Sequence, residues 1–229
     1  LNGSLETDFY LNDKAQFPLL EKIKLVGIKI SAKNLHHLMS KASNLTSLIV
    51  DISSSVSDNY PFSSLKLPNF NLIKFRKSSF TKENVQQILI NNKLKRLVWS
   101  DGNVISNTLT EIKDTDLSSI KTLEINNCTC DAKYLDQMFN VLPQLEHVII
   151  LSGTIEKFES TFTLRSLKTL HIDLDRFNDI ANAFNNIRIE KIMLLDKDSS
   201  LVPNLANINL NLLKQFQLQK NKLNHPFFN

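Results

Sequence analysis

Glycine is scarce in this chain, with only Gly3, Gly27, Gly102 and Gly153 among 229 residues. No cluster of them can make a loop whose backbone amides cradle phosphate, so P-loop and dinucleotide-binding fingerprints are excluded. The sequence also lacks a Gly-x-Ser-x-Gly elbow and a His-Glu-x-x-His pair, two signatures of hydrolytic enzymes. Cysteine is rarer still: Cys128 and Cys130 are the only two. They cannot build a disulfide framework, which points to a reducing compartment. A Cys-x-Cys pair would need two further ligands to hold zinc. The pair therefore reads as structural, and no metal or other cofactor is expected. No apolar run approaches the ~18 residues of a membrane-spanning helix, and no signal peptide is visible. The net charge is only +4, and Lys and Arg neither form long runs nor interleave with exposed aromatics. That pattern argues against nucleic acid as the partner.

What the chain has is a repeat. The pattern apolar-x-x-apolar-x-apolar begins at Leu20, Leu45, Phe70, Leu94, Ile120, Leu145, Leu167, Ile189 and Leu213, at spacings of 25, 25, 24, 26, 25, 22, 22 and 24 residues. Counting each of these as position one, positions four and six are apolar in every copy, as in Leu123 and Ile125. Alternation of this kind is strand periodicity. Five residues beyond position six, seven copies carry Ile30, Phe80, Val104, Cys130, Ile155, Phe177 or Leu223. A fixed period in this range with this core signals a leucine-rich repeat. The expected fold is α/β: a leucine-rich repeat solenoid, or horseshoe, of about nine repeats of 22–26 residues. A parallel sheet should line its concave side, with short helices or irregular returns on the convex side.

Residues 1–15 lack the pattern and read as an N-terminal cap or linker, and residues 16–229 as the repeat domain. The returns after copies one, three, five and seven should be helical. Their stripes are Leu35-Leu38-Met39, Val85-Ile88-Leu89, Leu135-Met138-Phe139-Leu142 and Ile180-Phe184-Ile187, at helical spacing. Ser31, Thr81 and Asp131 suit helix N-caps. Residues 53–64 should form a long loop, and the return of copy eight, through Pro203, should be irregular. Position nine, where such repeats favour Asn or Cys, matches only at Cys128 and Asn221, so the turn after the strand is expected to be irregular in several copies. Phe227 and Phe228 could cover the apolar end of the last copy.

The stretch IKTLEINNCTCDAKYLDQMFNVLPQLEHVII, residues 120–150, resembles the cysteine-containing leucine-rich repeats of F-box substrate-recognition proteins. The likeness lies in a strand ending in Cys, a helix, and Leu-Pro-x-Leu-Glu before the next strand. At the level of architecture it covers residues 16–229. It implies a substrate-recognition role in the ubiquitin pathway, although no F-box motif is visible in the chain.

In such a fold, positions three, five and seven point outward from the strands. Lys22, Lys24, Lys74, Arg76 and Arg96 then make the N-terminal half of that face basic. Ile149, Leu151, Met193 and Leu195 make an apolar patch in the C-terminal half, and such clusters mark partner sites. Val98, Glu124, His147 and His171 complete the candidate partner-binding set. His147 and His171 fall on neighbouring strands and could approach one another. Trp99, at position six, belongs to the core. No catalytic residue is assigned, and the chain reads as non-enzymatic. The expected function is protein–protein interaction on the concave face, as the recognition half of an F-box-like adaptor or as an intracellular bacterial effector. The expected location is the cytoplasm or nucleus, or the host cytosol for an effector. The alternative is a scaffold subunit of a larger, even ribonucleoprotein, assembly.

Overall fold

The computed structural model describes residues 14–51, 54–57, 60–77, 82–101, 117–130, 132–155, 164–184, 187–196, 203, 205, 208 and 212–220. Thr81, Asp131, Phe80, Val104, Leu223, Phe227 and Phe228 lie outside these residues, as do residues 1–13 of the expected N-terminal cap. In chain order the elements are β1 (Lys22–Val26), β2 (Lys29–Ser31), α1 (Ala32–Ser40), β3 (Ser47–Asp51), β4 (Ser55–Ser57), β5 (Leu72–Arg76), α2 (Lys82–Asn91) and β6 (Arg96–Ser100). They continue with β7 (Thr122–Cys130), α3 (Ala132–Val141), β8 (His147–Ile155), β9 (Thr169–Asp173), α4 (Leu174–Ile180), β10 (Lys191–Asp196) and β11 (Gln215–Lys220). A 3-10 turn, Ala181–Phe184, extends α4.

Nine strands form one parallel sheet in the order β1-β3-β5-β6-β7-β8-β9-β10-β11, and β2 and β4 form a separate parallel pair. Each period of the sequence contributes one strand to the large sheet. The register is the sequence period itself: Lys22 faces Ser47, Ser47 faces Leu72, Leu72 faces Arg96, and Arg96 faces Thr122. The series continues through His147, Thr169, Lys191 and Gln215. Copies of different length stay in step because the returns absorb the difference. The arrangement is α/β, compatible with a solenoid, and it does not close into a barrel.

Alternation along each strand explains which side is the core. From β1 to β10, the residues at positions four and six are buried, Leu48, Ile73, Leu97, Leu123, Val148, Leu170 and Ile192 completely. The four helices return across that packed face. Their apolar stripes are buried as the spacing predicts, including Leu35, Met39, Val85, Ile88, Leu135, Met138, Phe139, Ile180 and Phe184. Ser31 caps α1, its Oγ accepting from the Asn34 amide at 3.1 Å. Asp173 precedes α4 without a side-chain cap, because its Oδ2 accepts instead from the Ser152 amide on β8.

Two expectations are corrected. The expected loop at 53–64 contains β4, which pairs in parallel alongside β2 with Val56 opposite Ile30. The turn after the strand also recurs more regularly than position nine suggests. Gly27 (φ 64°), Lys77 (44°), Asp101 (55°), Asn127 (51°) and Ser152 (60°) all have left-handed backbone at position eight. The turn is made one residue earlier, so position nine is free to vary.

The extended return before β5 poses a different problem, since its buried amides have no helical partners. Side chains of α2 and its end supply them: Asn84 Oδ1 accepts from the Tyr60 amide at 3.4 Å, Gln87 Oε1 from Phe62, and Asn92 Oδ1 from Leu67 at 2.9 Å. Asn92 Nδ2 also donates to Ile88 O at 2.9 Å, satisfying a carbonyl in the last turn of the helix. Asn92 is buried. Asn92→Ala is therefore expected to cost about 1–3 kcal/mol, the penalty for an orphaned buried amide, read as a lower denaturation midpoint with an unchanged slope. An unchanged midpoint would mean that the return is held without Asn92.

Candidate protein-interaction face

The face of the sheet opposite the core displays positions three, five and seven of nine strands as a grid. Its rows run along the strands and its columns across them, with strands about 4.8 Å apart. All thirteen residues named from the sequence belong to this grid, and the strand register places them in the expected columns. Lys24, Lys74, Val98, Glu124, Ile149, His171 and Met193 occupy column five, each opposite the neighbouring strand's column-five residue.

The electrostatics differ from a free basic patch. Lys24 Nζ lies 3.7 Å from Asp51 Oδ2, and Arg76 Nε lies 3.7 Å from Asp51 Oδ1 and 2.7 Å from Asp101 Oδ2. Asn127 Nδ2 donates to Asp101 Oδ1 at 2.7 Å. These contacts cross β1, β3, β5 and β7 as one chain of opposite charges and amides. Arg96 pairs with Glu124, and Asn126 donates to the other oxygen of that carboxylate at 2.6 Å. The Asp101 hydrogen bond holds the Arg76 guanidinium above its ordinary pKa. Burial alone would raise the Asp101 pKa, but hydrogen bonds from Asn127 and Arg76 outweigh it and hold the carboxyl below its ordinary range. Three of the five expected cations are therefore neutralised within the sheet. Lys22 and Lys74 have no ion pair among the described residues.

The apolar half also differs in detail. Ile149, Leu151 and Met193 are partly exposed. Leu195 is 3% exposed and Val98 2% exposed, so these two lie beneath their neighbours rather than at the surface. In column seven Asp51, Ser100 and Asp173 are buried as well. His147 and His171 are not opposed: His147 Nδ1 meets Thr169 Oγ1 at 2.7 Å, while His171 faces Ile149. Trp99 is buried, stacked 6.1 Å from Phe75 between ring centroids. Cys128 is buried, and its Sγ donates to Asn126 O at 3.2 Å. Among the described residues, no group of three or more His, Cys, Asp or Glu side chains could hold a metal ion.

One feature of the strand starts was missed in the sequence reading. At position two, Lys121 Nζ lies 2.5 Å from Glu146 Oε1, and Lys168 Nζ lies 2.7 Å from Glu146 Oε2. Lys214 Nζ lies 2.9 Å from Glu190 Oε2. Hydrogen bonds from Lys121 and Lys168 pull the Glu146 carboxyl down to about 2. The signal was present as Lys, Glu, Lys, Glu, Lys at position two of copies five to nine. It appears only when the copies are aligned by period. His36, on α1, packs 5.1 Å from Tyr60 and 5.5 Å from Phe62. Burial lowers its pKa, and the neighbouring His37 lowers it further.

Comparisons with models of known protein families and with curated proteins found no match. Among the described residues, no helix is long and apolar enough to cross a membrane.

Proposed function

We propose that this chain is a leucine-rich repeat recognition module that binds another protein on the face bearing columns three, five and seven. The carrying observation is the in-register array of nine parallel strands, which turns one side of the sheet into an extended surface rather than a pocket. Surfaces of this kind suit repeat proteins, whose stacked units build broad binding faces. Lys22 and Lys74 supply positive charge toward one end, and Ile149, Leu151 and Met193 supply partly exposed apolar area toward the other. The matching partner carries acidic groups and an apolar anchor. Charge would set orientation and association rate, and the buried anchor most of the affinity. Substrate recognition in an F-box-like adaptor, or in an effector working inside a host cell, is the biological setting this reading favours.

The test has two arms. Lys22→Glu with Lys74→Glu should slow association about tenfold or more at low salt and leave the fold unchanged, because neither cation belongs to the ion-pair chain. Reversing Arg76 or Arg96 would be a poor choice, since it sets new carboxylates against Asp51, Asp101 or Glu124. Ile149→Glu with Met193→Glu should accelerate dissociation of the partner, captured first on the wild-type chain and then measured in purified form. Binding that is indifferent to both pairs would exclude this face.

The scaffold reading rests on a different observation. Lys24, Arg76 and Arg96 are satisfied internally, which suits a face held inside an assembly. Contacts that survive both double substitutions would favour it.

A further inference from the structure

The last strand is one of the two edges of the sheet, and unlike β1 at the other edge it leaves its core positions exposed. Among the described residues, β11 pairs only with β10. The Gln215 amide donates to Glu190 O at 3.1 Å. Backbone groups alternate in direction along a strand, so Gln215, Gln217 and Gln219 bond to β10. Phe216 and Leu218 then aim their N–H and C=O groups at the open edge. By period these two occupy core positions, yet they are 41% and 48% exposed. Protein sheets blunt such edges with charge, proline or a covering element. Between Gln215 and Gln219, β11 carries neither charge nor proline.

We propose that β11 pairs antiparallel with β11 of a second copy of this chain, about a twofold axis at Gln217, joining two nine-stranded sheets edge to edge. The strand's own sequence argues for that occupant. Gln-Phe-Gln-Leu-Gln reads almost the same in both directions. Pairing about Gln217 sets Phe216 against Leu218 of the second copy, and Leu218 against its Phe216. Those are the residues whose backbone groups face outward, so they form the hydrogen-bonded pairs of an antiparallel ladder. The twofold keeps both core faces on one side, so apolar meets apolar. On the other face, glutamine meets glutamine, and an amide side chain both donates and accepts. The neutral column needs no charged partner. In this register Lys214 faces Lys220 of the second copy, but Lys214 already lies 2.9 Å from Glu190. A six-residue edge falls well short of the ~800 Å² per partner of a stable interface, so the dimer is weak and concentration-dependent.

Sedimentation velocity of the 229-residue chain, from low to high micromolar concentration, should show a reversible monomer–dimer equilibrium. Gln217→Glu puts two carboxylates face to face at the axis and should weaken the dimer about tenfold or more, as should Gln217→Lys. An equal mixture of the two variants should restore association, now as a heterodimer. Circular dichroism should be unchanged in both, since residue 217 points away from the core. A chain that stays monomeric at every concentration overturns the proposal and assigns the edge to residues 221–229 or to a different protein. A dimer indifferent to both substitutions overturns it as well.

Discussion

Gly153→Ala is expected to destabilise the protein by about 4 kcal/mol or more, at the extreme of single substitutions. Gly153 has φ 91°, outside the backbone range that a side chain tolerates. A Cβ built there would stand 2.0 Å from the Cys128 carbonyl oxygen and 2.6 Å from the Cys128 nitrogen. Both are backbone atoms of the neighbouring strand, opposite Gly153 in the β7–β8 register. No rotamer change can relieve the overlap, so the two strands must separate where they run on past the left-handed residues Asn127 and Ser152. Gly27→Ala is the comparison, because Gly27 shares left-handed backbone at φ 64°. It should cost about 1–2 kcal/mol from the dihedral alone. Urea denaturation of the two variants separates the contributions. Equal, small losses would mean that β7 and β8 do not approach this closely beyond position eight.

The second large effect is expected at Leu123→Ala, a loss of about 2–5 kcal/mol. Leu123 is completely buried, at position four of β7, in the middle of the sheet. Its register neighbours Leu97 and Val148 are completely buried too. Side chains there are held by strands on both sides, so the cavity cannot collapse and the full truncation cost is felt. Thr122→Ala, one residue earlier and on the opposite face, should change stability by no more than about 0.5 kcal/mol. The contrast between adjacent residues is the measurement. Similar losses at both would mean that the alternation does not divide core from surface.

The fold was largely legible because its signals are local. Period-two alternation at Leu123 and Ile125 needs only neighbouring residues to be read, and so does the three-and-four spacing of Leu135, Met138 and Phe139. The common register followed from the period, since strands that recur every 22–26 residues align like with like. The small β2–β4 pair was not legible, because Ser55-Val56-Ser57 carries no alternation long enough to stand out. The turn at position eight was hidden for another reason. Gly27, Lys77, Asp101, Asn127 and Ser152 share a backbone conformation and no side-chain chemistry.

The candidate face was legible as a set of positions and illegible as a set of environments. The sequence by itself determined which residues share the face, because strand alternation decides the side on which each one stands. It also determined that Lys22, Lys74, Ile149 and Met193 would be offered from separate ends of that face. Only the tertiary structure decided that Lys24, Arg76 and Arg96 would be neutralised by Asp51, Asp101 and Glu124, and that Val98 and Leu195 would sink beneath their neighbours. Charge pairing and burial on a sheet depend on what stands about 4.8 Å to either side. In this chain those neighbours lie a whole repeat away in sequence, and stacking the strands is what brings them into contact.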